Sequence, residues 1–377
     1  MAVYKIFPYK DTTLYSLYPS MSVGLDAISE VSNQLSEGTP DIARFLTQFD
    51  LTEIIDVIDN KIGSDTWDVN FRNYIADAKG IATNTLLEIY PVAQDWNNGT
   101  GEFGDNPITT DGASWLYSDF DGSTSWSPSG QYVDELYTSS YDPNYSDQGG
   151  GNWFYSGSGI VSYRVTQSFE LRSDKDINVG VKTIVSKWYS GSLPNYGFIT
   201  KLSSSSEFTL DSSLQPIFKY FSVDTNTIYP PQLEFKWRDY STVLNGALSS
   251  SIVTTSTLKL ALNENPGRFY LDSVNRFRVN VSPLYPTRTF RTSSYFTDIN
   301  YLPTSSYYAI KDLDTNEYVV DFDTQYTQIS SDNTSNYFDV YMNGLEPERY
   351  YKILIKTIID GSTKIFDEDY YFKVING

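Results

Sequence analysis

The chain has 377 residues, with 47 acidic against 27 basic side chains, and it contains neither histidine nor cysteine. The missing residue types exclude a Ser-His-Asp triad, a thiol nucleophile, imidazole or thiolate metal ligands and a disulfide scaffold. A formal net charge of −20 opposes binding to nucleic acid or anionic lipid, both of which call for a basic surface. With 32 Tyr, 21 Phe and 7 Trp the composition is that of a folded protein rather than an acidic disordered one, and it favours half-buried pleated strands.

In chain order, the N-terminus carries no apolar core of signal-peptide length, and no run approaches about 18 consecutive apolar residues. The expectation is a protein folded in a cytoplasm with no membrane span. Strands are predicted at Ala43–Phe49 and Asn84–Pro91. Between them Asp50, Glu53 and the spacing of Ile54, Ile55, Val57, Ile58 and Ile62 predict a capped helix over 51–62. A weaker helix is expected over Asp68–Lys79. The segment 92–160 reads as long loops rich in Gly, Ser, Asp, Trp and Tyr; its stretch 101–150 holds nine acids and no base. Further strands are expected at Val161–Glu170, Gln232–Arg238, Arg276–Val281, Tyr307–Ile310, Tyr337–Met342 and Tyr350–Ile358. Residues 176–191 fit either a strand at Asn178–Val185 or a helix presenting Val181, Ile184, Val185 and Trp188. Leu345-Glu-Pro347-Glu-Arg-Tyr350 followed by an alternating strand reads as a tyrosine corner, and Asp360-Gly361 as the turn of a hairpin into Lys364–Val374.

Short apolar runs punctuated by turn residues predict a mainly β protein. The expected domains are a jelly-roll β-sandwich over 1–242 with one or two short helices, a linker at 243–255, and an immunoglobulin or fibronectin-like sandwich over 256–377. Carboxylate pairs at Asp95/Glu102 and Asp119/Asp121 could serve glycoside hydrolysis, but a solvated acidic loop is the simpler reading. Asp119-Phe-Asp121-Gly122 has alternating oxygen ligands for a hard cation, yet lacks the EF-hand spacing, and a turn is favoured. Gly149-Gly-Gly151 has no strand–loop–helix frame for phosphate and reads as a turn. Trp96, Trp115, Trp126 and Trp153 lie among polar loop residues. They suit contact with a partner protein or stacking on a glycan, against burial in the sandwich; protein contact is the favoured use. Arg276, Arg278, Arg288 and Arg291 sit in the local basic surplus of 251–300, six bases against three acids. They are expected to meet the acidic 101–150 segment of a neighbouring copy, against a solvated strand face.

Two sets of motifs carry resemblances. Phe7-Pro8-x-Lys10-Asp11-Thr12-Thr13-Leu14-Tyr15, Gly24-Leu25-Asp26, Arg44-Phe-Leu-x-Gln48-Phe49-Asp50, Trp188-x-x-Gly191-x-x-Pro194-Asn195-Tyr196-Gly197 and Leu233-Glu-Phe235 resemble, in that order over about 1–240, jelly-roll modules of the secreted carbohydrate-binding class. Asn97-Asn-Gly-Thr-Gly101 and Gly112-Ala-Ser-Trp115, with Tyr285-Pro-Thr-Arg-Thr-Phe290, Tyr307-Tyr308-Ala-Ile-Lys-Asp312 and Gly344-Leu-Glu-Pro-Glu-Arg-Tyr-Tyr351, are similar to virion structural proteins of marine contractile-tailed bacteriophages. That resemblance implies a non-enzymatic virion component, assembled in the host cytoplasm, with no catalytic residue, cofactor or metal. Its implied partners are other virion proteins in a homo-oligomeric ring or array. A neck or tail accessory position is the expectation; a capsid decoration protein, or a glycan-binding module on the host surface, is the alternative.

Overall fold

The computed structural model describes all residues except 1, 127–135, 139–148, 155, 158–160, 243–249, 255–256, 264 and 286–298. The chain is mainly β, with short helices, in two sandwich units. One comprises Ile6–Lys61 and Val69–Glu234; the other comprises Phe235–Gly377 with the short pieces Met1–Lys5 and Ile62–Asp68. The division therefore falls at 234/235 rather than around 243–255, and the C-terminal unit takes two segments from the N-terminal half of the chain. Within the expected linker, Ser250–Ile252 is a strand paired in parallel with Ile299–Tyr301; 243–249 and 255 lie outside the described residues.

The N-terminal unit is built on a large sheet in the order Val165–Phe169, Thr85–Pro91, Phe198–Leu202, Thr39–Phe49, Ile28–Ser36, Ile217–Phe221, Ile75–Lys79, with Pro8–Tyr15 also pairing Thr39–Phe49. A smaller sheet contains Gln232–Trp237, Trp67–Asn73 and Ile177–Gly180. The two meet through aromatic rings: Phe71 lies 5.2 Å from Phe198 and 6.1 Å from Phe49, and Trp188 lies 4.7 Å from Phe198. Leu51–Asp56 is helical as expected, capped by Asp50, whose carboxylate accepts from the Thr52 N–H, and it continues as a π-helix over Val57–Ile62. The helix expected over Asp68–Lys79 is instead two strands, Trp67–Asn73 and Ile75–Lys79. Val69, Phe71 and Asn73 are buried at a period of two, which fits a pleat and not a helix. The two readings of 176–191 divide the segment: Ile177–Gly180 is a strand, which stops short of the expected Val185, and Lys182–Tyr189 is a helix burying Ile184, Val185 and Trp188.

The C-terminal unit packs a four-stranded sheet (Leu258–Asn263, Val274–Pro283, Asn336–Tyr341, Ser330–Ser331) on a five-stranded one (Arg268–Tyr270, Ser362–Ile375, Tyr350–Ile359, Ser306–Asp312, Tyr318–Val320). Tyr308 stacks on Phe338 at 4.2 Å, and Phe277 reaches Phe372 at 5.5 Å. The tyrosine corner forms on Tyr351, one residue beyond the expected Tyr350, which is exposed: the Tyr351 hydroxyl donates to the Glu346 carbonyl, five residues upstream, at 3.0 Å.

Asp11, on Pro8–Tyr15, is fully buried and accepts from the Val223 N–H at 2.8 Å. Burial raises its carboxyl, Asp224 and Asp26 add to the rise, and the Val223 bond only partly offsets them, so its pKa stands at about 8. A carboxyl raised in the folded state contributes stability that is complete below its ordinary pKa and is lost as pH climbs through the folded value. Asp11→Asn removes that dependence. Denaturant unfolding at pH 5 and pH 9 is expected to show the variant gaining on the parent as pH rises, by on the order of several kcal/mol.

Candidate functional site

Strand alternation places the ionisable groups of this unit. On Thr39–Phe49, Phe45 and Phe49 face the smaller sheet, so Arg44 and Leu46 project from the opposite face. The register pairs Leu46 with Ile199, Ile199 with Tyr90 and Lys201 with Glu88. Arg44, Lys201, Glu88 and Tyr90 therefore stand side by side on that outer face, on three adjacent strands. The chain leaves Phe198–Leu202 into the short helix Ser204–Glu207, which turns Glu207 back over the same face.

These side chains form one alternating chain of charge. Arg44 donates through Nε and Nη2 to the two oxygens of Glu207 at 2.7 and 2.8 Å. Lys201 lies 3.0 Å from Glu207 and 3.7 Å from Glu88. Glu88 accepts from Arg164 at 2.5 Å and from the Tyr90 hydroxyl at 3.1 Å. Arg44 and Glu207 are wholly buried and Lys201 nearly so, while Arg164 reaches solvent. Burial alone would raise the Glu207 carboxyl, but Arg44 and Lys201 more than offset it and hold it below its ordinary value. For Lys201, burial is the largest influence and Arg44 works in the same direction. The two carboxylates compensate only in part, so its pKa is lowered.

The segment that reads as loops is the roof over this face. Leu14, Ile42, Leu46, Tyr90, Val92 and Ile199 from the sheet pack with Trp96, Ala113, Trp115, Trp126 and Trp153 in a second apolar core. Trp96 donates its indole N–H to the Tyr196 carbonyl, and Trp126 donates to Ser114, both at 2.9 Å. The Arg44 guanidinium lies 4.9 Å from the Trp115 ring and 5.5 Å from that of Trp153. Gly149-Gly-Gly151 threads between these groups with all three φ angles positive, and a Cβ at Gly150 would come within 2.8 Å of both the Trp115 ring and Arg44. Its carbonyl accepts from Arg44 Nη1 at 2.8 Å. The Gly99 and Gly112 motifs lean on one another here: Asp111 accepts from the Thr100 N–H at 3.0 Å and Ala113 donates to the Asn97 carbonyl at 2.7 Å.

Beside the network lies a cleft of about 460 Å³. Glu88, Tyr90, Trp153, Arg164 and Lys201 line it together with Asn84, Leu86, Ser203, Ser204, Ser205 and Ser206.

Several expected site residues are placed differently. Trp96, Trp115, Trp126 and Trp153 are between 2 and 6 % exposed. They are core residues of their own unit, because the sheet beneath them has no other cover; they do not present contact platforms, although Trp153 lines the cleft. Arg276 and Arg278 are partly exposed on the C-terminal unit, but their charges are met within their own sheet. Arg276 binds Asp339 with two bonds of 2.8 Å, Arg278 lies 2.9 Å from Asp332, and the two flank Tyr337. Arg288 and Arg291 lie outside the described residues. Asp119 and Asp121 fall at the turn of a small hairpin, Tyr117–Asp119 with Thr124–Ser125; Asp95 is exposed beside Lys10. Sequence reasoning missed Arg44, Lys201, Glu88 and Glu207; for the first three the one signal is a charge in the middle of a strand that is otherwise buried, and Glu207, on the short helix Ser204–Glu207, has none.

No known family and no curated protein matches this sequence. Among solved structures it is similar to a DUF4785 family protein from Legionella pneumophila, at 7% identity and a TM-score of 0.17, over 98% of this chain and 65% of that one. At that score the similarity carries no argument.

Removing one partner from a buried ion pair strands the other, at a cost of about 3–5 kcal/mol. Arg44→Met and Glu207→Leu are each expected to lose that much on urea denaturation followed by tryptophan fluorescence. The double variant is expected to recover much of the loss.

Proposed function

We propose that this chain is a non-enzymatic bacteriophage virion structural protein, working through protein–protein contacts as a neck or tail accessory component. The observation that carries the reading is the outward face of the C-terminal five-stranded sheet. There the register sets Tyr350 against Lys373, Lys352 against Tyr371 and Lys356 against Ile365. Tyr270, at 60 % exposure, and Tyr350, at 51 %, stand open to solvent on that face. Lys373 lies 5.6 Å from the Tyr350 ring, Lys352 5.5 Å from that of Tyr371 and Lys311 4.5 Å from that of Tyr318. A flat sheet of exposed tyrosines, steadied by neighbouring lysine stems, has the composition of a protein contact surface.

Two further points support the reading. The virion-like motifs occur in both halves of the chain, and in the N-terminal unit the Asn97–Gly101 and Gly112–Trp115 motifs serve to seat the roof on the sheet. A particle held by repeated symmetric interfaces needs broad side-chain surfaces rather than a reaction centre.

Mass spectrometry of purified virions is expected to find the chain in stoichiometric copies; its absence would contradict the proposal. Tyr371→Glu, on the outward face, is expected to leave the unfolding midpoint unchanged while sharply reducing incorporation into particles.

A further inference from the structure

The cleft of the N-terminal unit carries an inference of its own, which stands whether or not the chain belongs to a virion. Its ion network does not sum to zero. Arg44, Lys201 and Arg164 supply three positive charges, and Glu207 and Glu88 supply two negative ones, all linked by contacts of 2.5–3.7 Å. The alternation starts on a cation whose outermost bond goes to a neutral carbonyl, that of Gly150, and it ends on a second cation at the cleft. The surplus positive charge sits on that cleft cation, and a fixed cation with N–H donors left over favours an anion that completes the sequence.

We propose that this cleft binds a sugar bearing a carboxylate, with the carboxylate on Arg164 and the hydroxyls on the serine wall. Arg164 is the one member of the network that reaches solvent, with 37% of its side chain exposed. Glu88 engages its Nη2; Nη1 and Nε have no partner among the described residues, which leaves charged N–H donors to meet a carboxylate. Asn84, Ser203, Ser204, Ser205, Ser206 and the Tyr90 hydroxyl supply neutral donors and acceptors around the remaining space, and the Trp153 ring supplies an apolar surface. The volume of about 460 Å³ falls within the range of about 300–1,000 Å³ common to small-ligand sites. General attraction of anions is ruled out as the cause by the −20 charge of the chain, so recognition rests on this local arrangement.

The test is titration calorimetry on the full chain with D-glucuronate, D-glucose and acetate as probes. Glucuronate is expected to bind saturably and at least about tenfold more tightly than either other probe, the margin that one charge-assisted contact supplies. Arg164→Gln is expected to weaken glucuronate by about tenfold or more while its circular dichroism spectrum stays that of the folded parent. The paired change Ser204→Ala and Ser205→Ala, at two exposed positions, is expected to weaken glucuronate and leave acetate unaffected. Equal binding of glucose would replace the proposal with a neutral-sugar site, and equal binding of acetate with a bare anion site. No saturable binding of any probe, or an Arg164→Gln variant that binds glucuronate as the parent does, would also overturn it.

Discussion

The central strands of the large sheet in the N-terminal unit have no solvent side. Strand Thr39–Phe49 buries Phe45 and Phe49 against the smaller sheet and Arg44 and Leu46 against the roof formed by 92–126 and 149–154. Most of what is distinctive in this unit follows from that constraint. A sheet covered on both faces needs a second core, and the tryptophans of the roof provide it. The same cover excludes water from the charges that lie on that face, so each must find a partner of opposite sign. Arg44, Glu207, Lys201, Glu88 and Arg164 do so in sequence, from the interior to the cleft.

Such a network is an expensive way to hold a fold together. Desolvating each ion costs several kcal/mol, and the pairwise attraction in a low-dielectric interior only roughly returns it. Its effect is on uniqueness: Arg44 has three geometrically defined bonds, two to Glu207 and one to Gly150, and these fix the helix after Phe198–Leu202 and the glycine crossing relative to the sheet. The C-terminal unit is built differently. Its charged pairs, Arg276 with Asp339 and Arg278 with Asp332, lie on an outer sheet face, where screening by water leaves them worth little to stability. Its solidity comes from the ring stack of Tyr308, Phe338, Phe277 and Phe372 and from the Tyr351 corner.

The β class, the capped helix at Leu51, the tyrosine corner and most strand positions were legible, because period-two burial and turn residues are local signals. The alternation Val69, Phe71, Asn73 carried the same signal and outweighed the helical reading of 68–79. The role of the tryptophans was not legible. A roof without regular secondary structure has no periodicity, and a Trp among Asp, Gly and Ser looks the same whether it covers a sheet or awaits a partner. Arg44 and Glu207 are 163 positions apart, and only the pairing of Phe198–Leu202 with Thr39–Phe49 brings them together. The glycine run 149–151 reads as a turn because the reason for three glycines, a passage between Trp115 and Arg44, exists only in the folded chain.

The central claim is that the roof is part of the folded core and not a loop lying on it. Native-state hydrogen exchange measures this at named amides. Gly150 donates to the Trp115 carbonyl, and Ala113 donates to that of Asn97. Both are predicted to exchange at rates close to those of the central strand amides around Leu46 and Ile199, through a shared unfolding event. Exchange within minutes at Gly150 and Ala113, while the sheet amides stay protected, would contradict the account.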